Sequence, residues 1–193
     1  MYIAIEGIDT AGKSTQIQAL RSLFPDALFT KEPGGTAVGQ TIRSMVLGGD
    51  LSSKRAEMFM FLADRAEHTA QIIIPNPDAL IISDRSCVSG VAYATVQHVC
   101  DMNTLVQLNR LATDDLLPQH VFILQLTPQE LTYRLSQKEH DAIESRGIDY
   151  LLNIQDALIA SAHALGIQTH LIDATQSIDT ITLEIANLIK GAL

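Results

Sequence analysis

The segment Gly7-Ile8-Asp9-Thr10-Ala11-Gly12-Lys13-Ser14 constrains this chain more than any other part of it. It satisfies G-x-x-x-x-G-K-[ST], directly after the apolar run 2–6 and directly before a segment of helical spacing, 13–24. A strand, a glycine loop and a helix in that order form the context in which the pattern binds phosphate. The reason is local. Gly7 and Gly12 let the backbone wrap close to phosphate oxygens, whose partners are main-chain N–H groups and the helix N-terminus. Lys13 supplies positive charge to the β and γ phosphates, and the Ser14 hydroxyl can ligate Mg²⁺.

The rest of the chain repeats the alternation. Apolar runs at 27–30, 80–83, 121–126 and 169–172 read as further strands. Between them, helical spacing covers 54–73, 103–116, 129–137, 149–165 and 178–190, and Arg43 lies about one to two turns into the helical segment after the second strand. Pro33-Gly34-Gly35, Pro75, Pro77, Pro118 and Gly166 interrupt the runs where turns are needed. Strands without polar alternation, separated by helices, predict a parallel α/β sheet with helices on both faces and ligands at the carboxyl ends of the strands. No repeat or linker divides residues 1–193, so one domain is expected.

Composition narrows the function. With 47% hydrophobic and 18% charged residues the chain is not disordered. Thirteen basic and 22 acidic residues leave a net charge of -9, which argues against a nucleic-acid or membrane-surface partner. A small phosphorylated ligand stays compatible if the few cations converge on one cleft. Two cysteines, Cys87 and Cys100, make neither a disulfide framework nor a repeated-pair metal site, and the first residues carry no basic leader; a cytoplasmic protein is expected.

Asp84-Arg85 closes the third strand, a position for a carboxylate that helps hold the metal and for an arginine on phosphate oxygens. A guanine-reading Asn-Lys-x-Asp motif is missing, and 193 residues are few for a motor ATPase, which favours a small-molecule kinase. Its acceptor needs cations and an apolar slot. Lys31-Glu32-Pro33-Gly34-Gly35-Thr36 and Arg43 follow the second strand; Phe61 and Arg65, four apart, share a helix face suited to stacking a base and bonding its edge. Phe59, Met60 and Leu62 are expected to contribute core. Spacing alone leaves Phe61 open between core and site. The six histidines, His68, His98, His120, His140, His163 and His170, show no metal-ligand spacing and read as surface or turn residues.

The motifs GIDTAGKST, KEPGGT, AEMFMFLADRAEH, DRSCVSGVAY and IDATQ, in this order, closely resemble the thymidylate kinase family over essentially the whole chain. The resemblance implies a P-loop NTPase fold with a five-stranded parallel sheet, a small lid at about 136–147, and a homodimer packed through helices; for the interface, 54–73 and 103–116 are expected to contribute. It implies transfer of the γ-phosphoryl of ATP to dTMP with Mg²⁺, giving dTDP for dTTP biosynthesis. By position, Gly7, Asp9, Thr10, Ala11, Gly12, Lys13, Ser14 and Thr15 would hold the ATP phosphates, and Arg134, Asp173, Ala174 and Thr175 would flank adenine. Ser14 and Asp84 would serve the metal. On the acceptor side Asp9 matches the carboxylate at the sugar 3′-OH, and Arg43 and Arg85 the arginines on phosphate. Phe61 matches the stacking ring, Arg65 the residue on the thymine carbonyl, and Tyr93 the ring beside C2′. Glu32, Ser89 and Gly90 would complete the acceptor wall, with Gly90 allowing close approach to the base.

The chain also departs from the family pattern. The loop position that often holds a catalytic Arg is Thr10, and the lid reads Asp141-Ala142-Ile143-Glu144 where an Arg is common. Lys138 or Arg146 is therefore expected to close over the transferring phosphoryl group, with slow turnover as a consequence. Gln125 stands where the family often has Asp. The alternatives are a kinase for another pyrimidine nucleotide such as dUMP, and a regulatory protein that binds nucleotides behind a degenerate lid.

Overall fold

The computed structural model describes residues 1–49, 51–137 and 147–193. Five parallel strands, β1 (Tyr2–Gly7), β2 (Leu28–Lys31), β3 (Ile81–Asp84), β4 (His120–Gln125) and β5 (Gln168–Asp173), form one sheet in the order β2-β3-β1-β4-β5. Each expected strand is present with its ends moved by a residue or two. In the central strand β1 and its neighbour β4, Ile3, Ile5, Phe122, Ile123 and Leu124 are fully or almost fully buried.

Eight helices cover the sheet among the described residues: α1 (Lys13–Leu23), α2 (Ala37–Leu47), α3 (Lys54–His68), α4 (Cys87–Val96), α5 (Met102–Thr113), α6 (Pro128–Ser136), α7 (Ile148–Leu165) and α8 (Ile178–Ala192). α1 packs on α8, while α4, α5 and α7 pack together. The expected helix 54–73 is α3 followed by a π-helical turn, Thr69–Ile73. One helix, α4, goes beyond the sequence reading, and another, α2, gives bounds to the helical segment expected around Arg43. α2 follows from Thr36, whose side chain caps it by accepting from Gly39 N at 2.9 Å. α4 is capped by Ser86 and buries Cys87, Val88, Ser89, Val91, Ala92 and Ala94, so it has no polar stripe to betray a helical period.

The core is continuous from β1 to α8, with Leu151, Ile154 and Leu158 of α7 and Ile181, Ile185 and Ile189 of α8 in one cluster. Phe59 is a correction to the sequence reading: it is 52% exposed, while Leu62, on another face of α3, is buried as expected. Cys87 and Cys100 are free thiols. Among the described residues no helix is long and apolar enough to cross a membrane. Lys138 and Arg146, and most of the expected lid, lie outside the described residues.

Candidate active site

β1 and β3 are neighbours with Ile5 opposite Asp84, so the loop after each strand emerges at the same end of the sheet. The loop after β1 needs unusual backbone. Gly12 has φ 98°, a left-handed conformation that glycine adopts without strain, and it hands the chain to α1. Lys13 is buried and folds back over the loop, its Nζ donating to Gly7 O and Ile8 O at 2.9 Å each. Burial, and then the neighbouring Arg85, push its ammonium from 10.5 down to about 8.

Arg85 sits between that loop and the adjoining cleft. Nη2 donates to Asp9 Oδ1 at 2.7 Å, and Nη1 donates to Gly7 O at 3.2 Å and to Ser89 Oγ at 3.0 Å. The cleft is about 610 Å³, and its lining includes Asp9, Arg43, Phe61, Arg65, Arg85 and Tyr93. Phe61, which spacing left undecided, is therefore a wall residue. Tyr93 presents its ring to the guanidinium of Arg85 at 5.7 Å. Burial pushes its hydroxyl, which has no hydrogen-bond partner among the described residues, up to about 12.

Arg65 is almost completely buried and held on three sides. Nε donates to Glu32 Oε2 at 2.8 Å, Nη1 to Asn109 Oδ1 at 2.7 Å and Nη2 to Ser86 O at 3.3 Å. Glu32 has its other oxygen 3.0 Å from His68 Nδ1, whose Nε2 meets Thr30 Oγ1 at 2.7 Å. Burial raises the Glu32 carboxyl, but Arg65 and His68 outweigh it and hold the group below its usual range. Both carboxylate oxygens of Glu32 are thus committed to shaping the wall. His68 is fully buried, which corrects its reading as a surface or turn residue. His120 and His170 are also off the turns: half-buried on β4 and β5, their rings stack at 5.3 Å. His163 lies exposed on α7, and His98 stands in a turn.

The glycines of this wall are set by space. A Cβ at Gly90 would stand 2.8 Å from Arg65 Nη1 and 2.9 Å from Nη2. The guanidinium of Arg65 makes a close approach at Gly90, which also lines the cleft. Asp64 Oδ1 accepts from Gly34 N at 2.9 Å and fills the space beside Gly39, while Arg43 Nη1 donates to Pro33 O at 3.0 Å. Ser89, expected beside a base, lines the cleft and stands between Arg85 and the buried Glu6.

On the opposite side, Arg134 ties loops together. Its Nη1 donates to Thr10 O at 3.2 Å and Ala11 O at 3.4 Å, and its Nη2 to Ala174 O at 2.6 Å. Asp173 Oδ1 accepts from Thr175 N at 3.0 Å and Thr175 Oγ1 at 2.7 Å, shaping the turn before α8. Gln125, at the end of β4, accepts through its carbonyl from Ala174 N at 2.9 Å. Among the described residues no group of three or more His, Cys, Asp or Glu could hold a metal. Mg²⁺ asks for less, because it keeps waters and substrate phosphates and takes one or two protein oxygens. Asp84 Oδ1, buried without a hydrogen-bond partner among the described residues, and the Ser14 hydroxyl in the first turn of α1 suit that need.

Three supporting residues, Glu6, Asp64 and Asn109, lay beyond the sequence reading, and a fourth, His68, was expected at the surface. Glu6 alone carried a signal, a carboxylate inside an otherwise apolar strand.

A parallel sheet, a phosphate loop on its central strand and a cation-lined cleft beside it define a P-loop phosphotransferase with a small phosphorylated acceptor. The chain belongs to the thymidylate kinase family, whose model, described as thymidylate kinase, matches residues 5–185. It is 59% identical to the thymidylate kinase of Sulfurimonas denitrificans over 190 residues, 98% of this chain and 100% of that one. It is 43% identical to the thymidylate kinase of Helicobacter pylori, with both chains fully covered. The crystal structure of thymidylate kinase from Ehrlichia chaffeensis superposes with a TM-score of 0.75 at 26% identity, covering 98% of each chain.

Proposed function

We infer that this protein transfers the γ-phosphoryl group of ATP to the 5′-phosphate of dTMP, giving ADP and dTDP. The observation that carries the reading is Arg85, which bonds the phosphate loop through Gly7 and Asp9 while lining the acceptor cleft. A cation at that point can touch both the accepting and the transferring phosphate.

The residues divide the work. Backbone N–H groups of residues 7–15 with Lys13 hold the donor phosphates, and Arg134 with the Asp173-Ala174-Thr175 turn flanks adenine. Arg43 and Arg85 hold the acceptor phosphate, and Asp9 meets the sugar 3′-OH. Phe61 stacks on thymine, Arg65 offers its remaining N–H groups to the base edge, and Tyr93 stands beside C2′ to disfavour a ribose hydroxyl. Ser14 and Asp84 would hold Mg²⁺, which supplies charge neutralisation to the phosphates. An acceptor oxygen, already ionised at pH 7, forms the new P–O bond as the bond from the γ phosphorus to the β–γ bridging oxygen breaks and ADP leaves. No general base is needed. Positioning and cations do the catalysis.

The segment 136–147 acts as a lid on one domain, with Lys138 or Arg146 as its cation; losing both would lower kcat, and an unchanged kcat in Lys138→Ala, Arg146→Ala would reject that part. The protein works in the cytoplasm as a homodimer, for which light scattering should give twice the chain mass. The function itself is tested by ADP release from Mg-ATP with dTMP, dUMP, dCMP, dGMP, UMP and thymidine. Preference for dTMP with dTDP as product is expected. Thermal stabilisation by ATP and dTMP without turnover would overturn the kinase reading.

A further inference from the structure

We propose that Glu6 is a positioning residue for the acceptor phosphate, setting through Ser89 the orientation of the Arg85 guanidinium. The inference rests on the reading of Arg85 as an acceptor-phosphate contact. Glu6 ends the apolar part of β1 and is fully buried. Its carboxylate is satisfied by serine and backbone donors: Ser86 Oγ donates to Oε1 at 2.9 Å, Ser89 N to Oε1 at 3.3 Å and Ser89 Oγ to Oε2 at 2.6 Å.

A serine hydroxyl has one proton to give. Ser89 gives its proton to Glu6, so the same oxygen faces Arg85 with lone pairs only, and it accepts from Nη1 at 3.0 Å. Donation therefore runs one way from Arg85 through Ser89 to Glu6, while the other Nη of Arg85 donates to Asp9. Arg85 needs such support. Its backbone has φ 72°, a left-handed conformation uncommon for arginine, and its long, flexible side chain is directed by the three acceptors it meets. Of the three acceptors around it, Gly7 O and Asp9 belong to the phosphate loop, Asp9 also lining the cleft; Ser89 is the one supplied by the α4 wall.

Glu6→Gln keeps the shape but places an amide NH₂ where a carboxylate oxygen stood. That amide would donate to Ser89 Oγ, turning the Ser89 proton toward Arg85 and opposing the Arg85 hydrogen bond. A role confined to capping α4 would make no distinction between ligands. The acceptor phosphate makes one.

The test measures KM for dTMP and for ATP, and competitive inhibition by thymidine, in Glu6→Gln, Ser89→Ala and the double variant. Thymidine lacks the phosphate that Arg85 would hold. Each single change is expected to raise the dTMP KM about ten-fold, a charge-assisted hydrogen bond's worth. The double variant should be no worse than the worse single one, with the thymidine inhibition constant and ATP KM within about two-fold of wild type. Unchanged dTMP KM in Glu6→Gln, additive effects, or a parallel loss of thymidine inhibition would overturn the proposal. If Glu6→Gln does not fold, Ser89→Ala decides alone through the dTMP-against-thymidine split. An Arg85→Ala variant separates the two levels. Should its dTMP KM be unchanged, the acceptor-phosphate reading falls and takes this proposal with it; should it rise while Ser89→Ala and Glu6→Gln stay normal, only this proposal falls.

Discussion

An alanine at position 90 would have to displace the guanidinium of Arg65, which is held by Glu32, Asn109 and Ser86 and has no flexible route away. Gly90→Ala should therefore lower stability by about 1–3 kcal/mol, as overpacking does, and raise the dTMP KM at least ten-fold while leaving the ATP KM near wild type. Calorimetry and steady-state kinetics check the two halves. Lys13 carries a pH prediction. Its ammonium, pushed down to about 8, binds phosphate only when protonated, so binding is fully present below that pH and is lost as pH rises through it. The kcat/KM for ATP, measured with dTMP saturating, should fall above pH 8; Lys13→Arg should abolish that limb even if its overall rate is low. Cys87 gives a simpler case. Burial pushes its thiol up to about 12, so in the native protein at pH 8 a thiol reagent should leave it unmodified and label it only after unfolding.

At the scale of elements, Arg134 joins α6 to the phosphate loop and to the turn before α8 through three carbonyls, Thr10, Ala11 and Ala174. Arg134→Met keeps the apolar stem and removes those bonds. The ATP KM should rise about ten-fold with little change for dTMP, and equal effects on both substrates would refute a donor-side role. Elements also show where the sequence was legible. The strands and the helices with an apolar stripe could be read from periodicity, because one face is buried and the other wet; α8, with Ile181, Ile185 and Ile189 inward, is such a case. α4 could not, since nearly all of its faces meet protein and its residues include Gly90 and three valines. The cations of the cleft and the phosphate loop were legible through their motifs. The groups behind them, Asn109 and His68, were not, because a buried polar residue is paired through tertiary contacts that leave no periodic trace.

For the whole molecule, 13 basic residues against 22 acidic ones give a net charge of -9, yet Lys13, Arg43, Arg65 and Arg85 gather around one cleft and the phosphate loop beside it. Anionic ligands should therefore stabilise the folded state well beyond what net charge suggests. With dTMP at 100 times its Kd, linkage adds about 2.7 kcal/mol, a rise of roughly 5–10 °C in Tm for a chain of this length. A scanning measurement without such a rise would contradict an acceptor site preformed in this way. The pairing of β1 with β3 has a wider meaning. Ile5 faces Asp84 across a strand spacing of about 4.8 Å, so the separation of donor and acceptor loops is ruled by backbone pairing and not by any side chain. The walls built by α3 and α4 can then drift, and a redesigner can re-cut them for a different base, while the distance the phosphoryl group must travel stays fixed by the sheet.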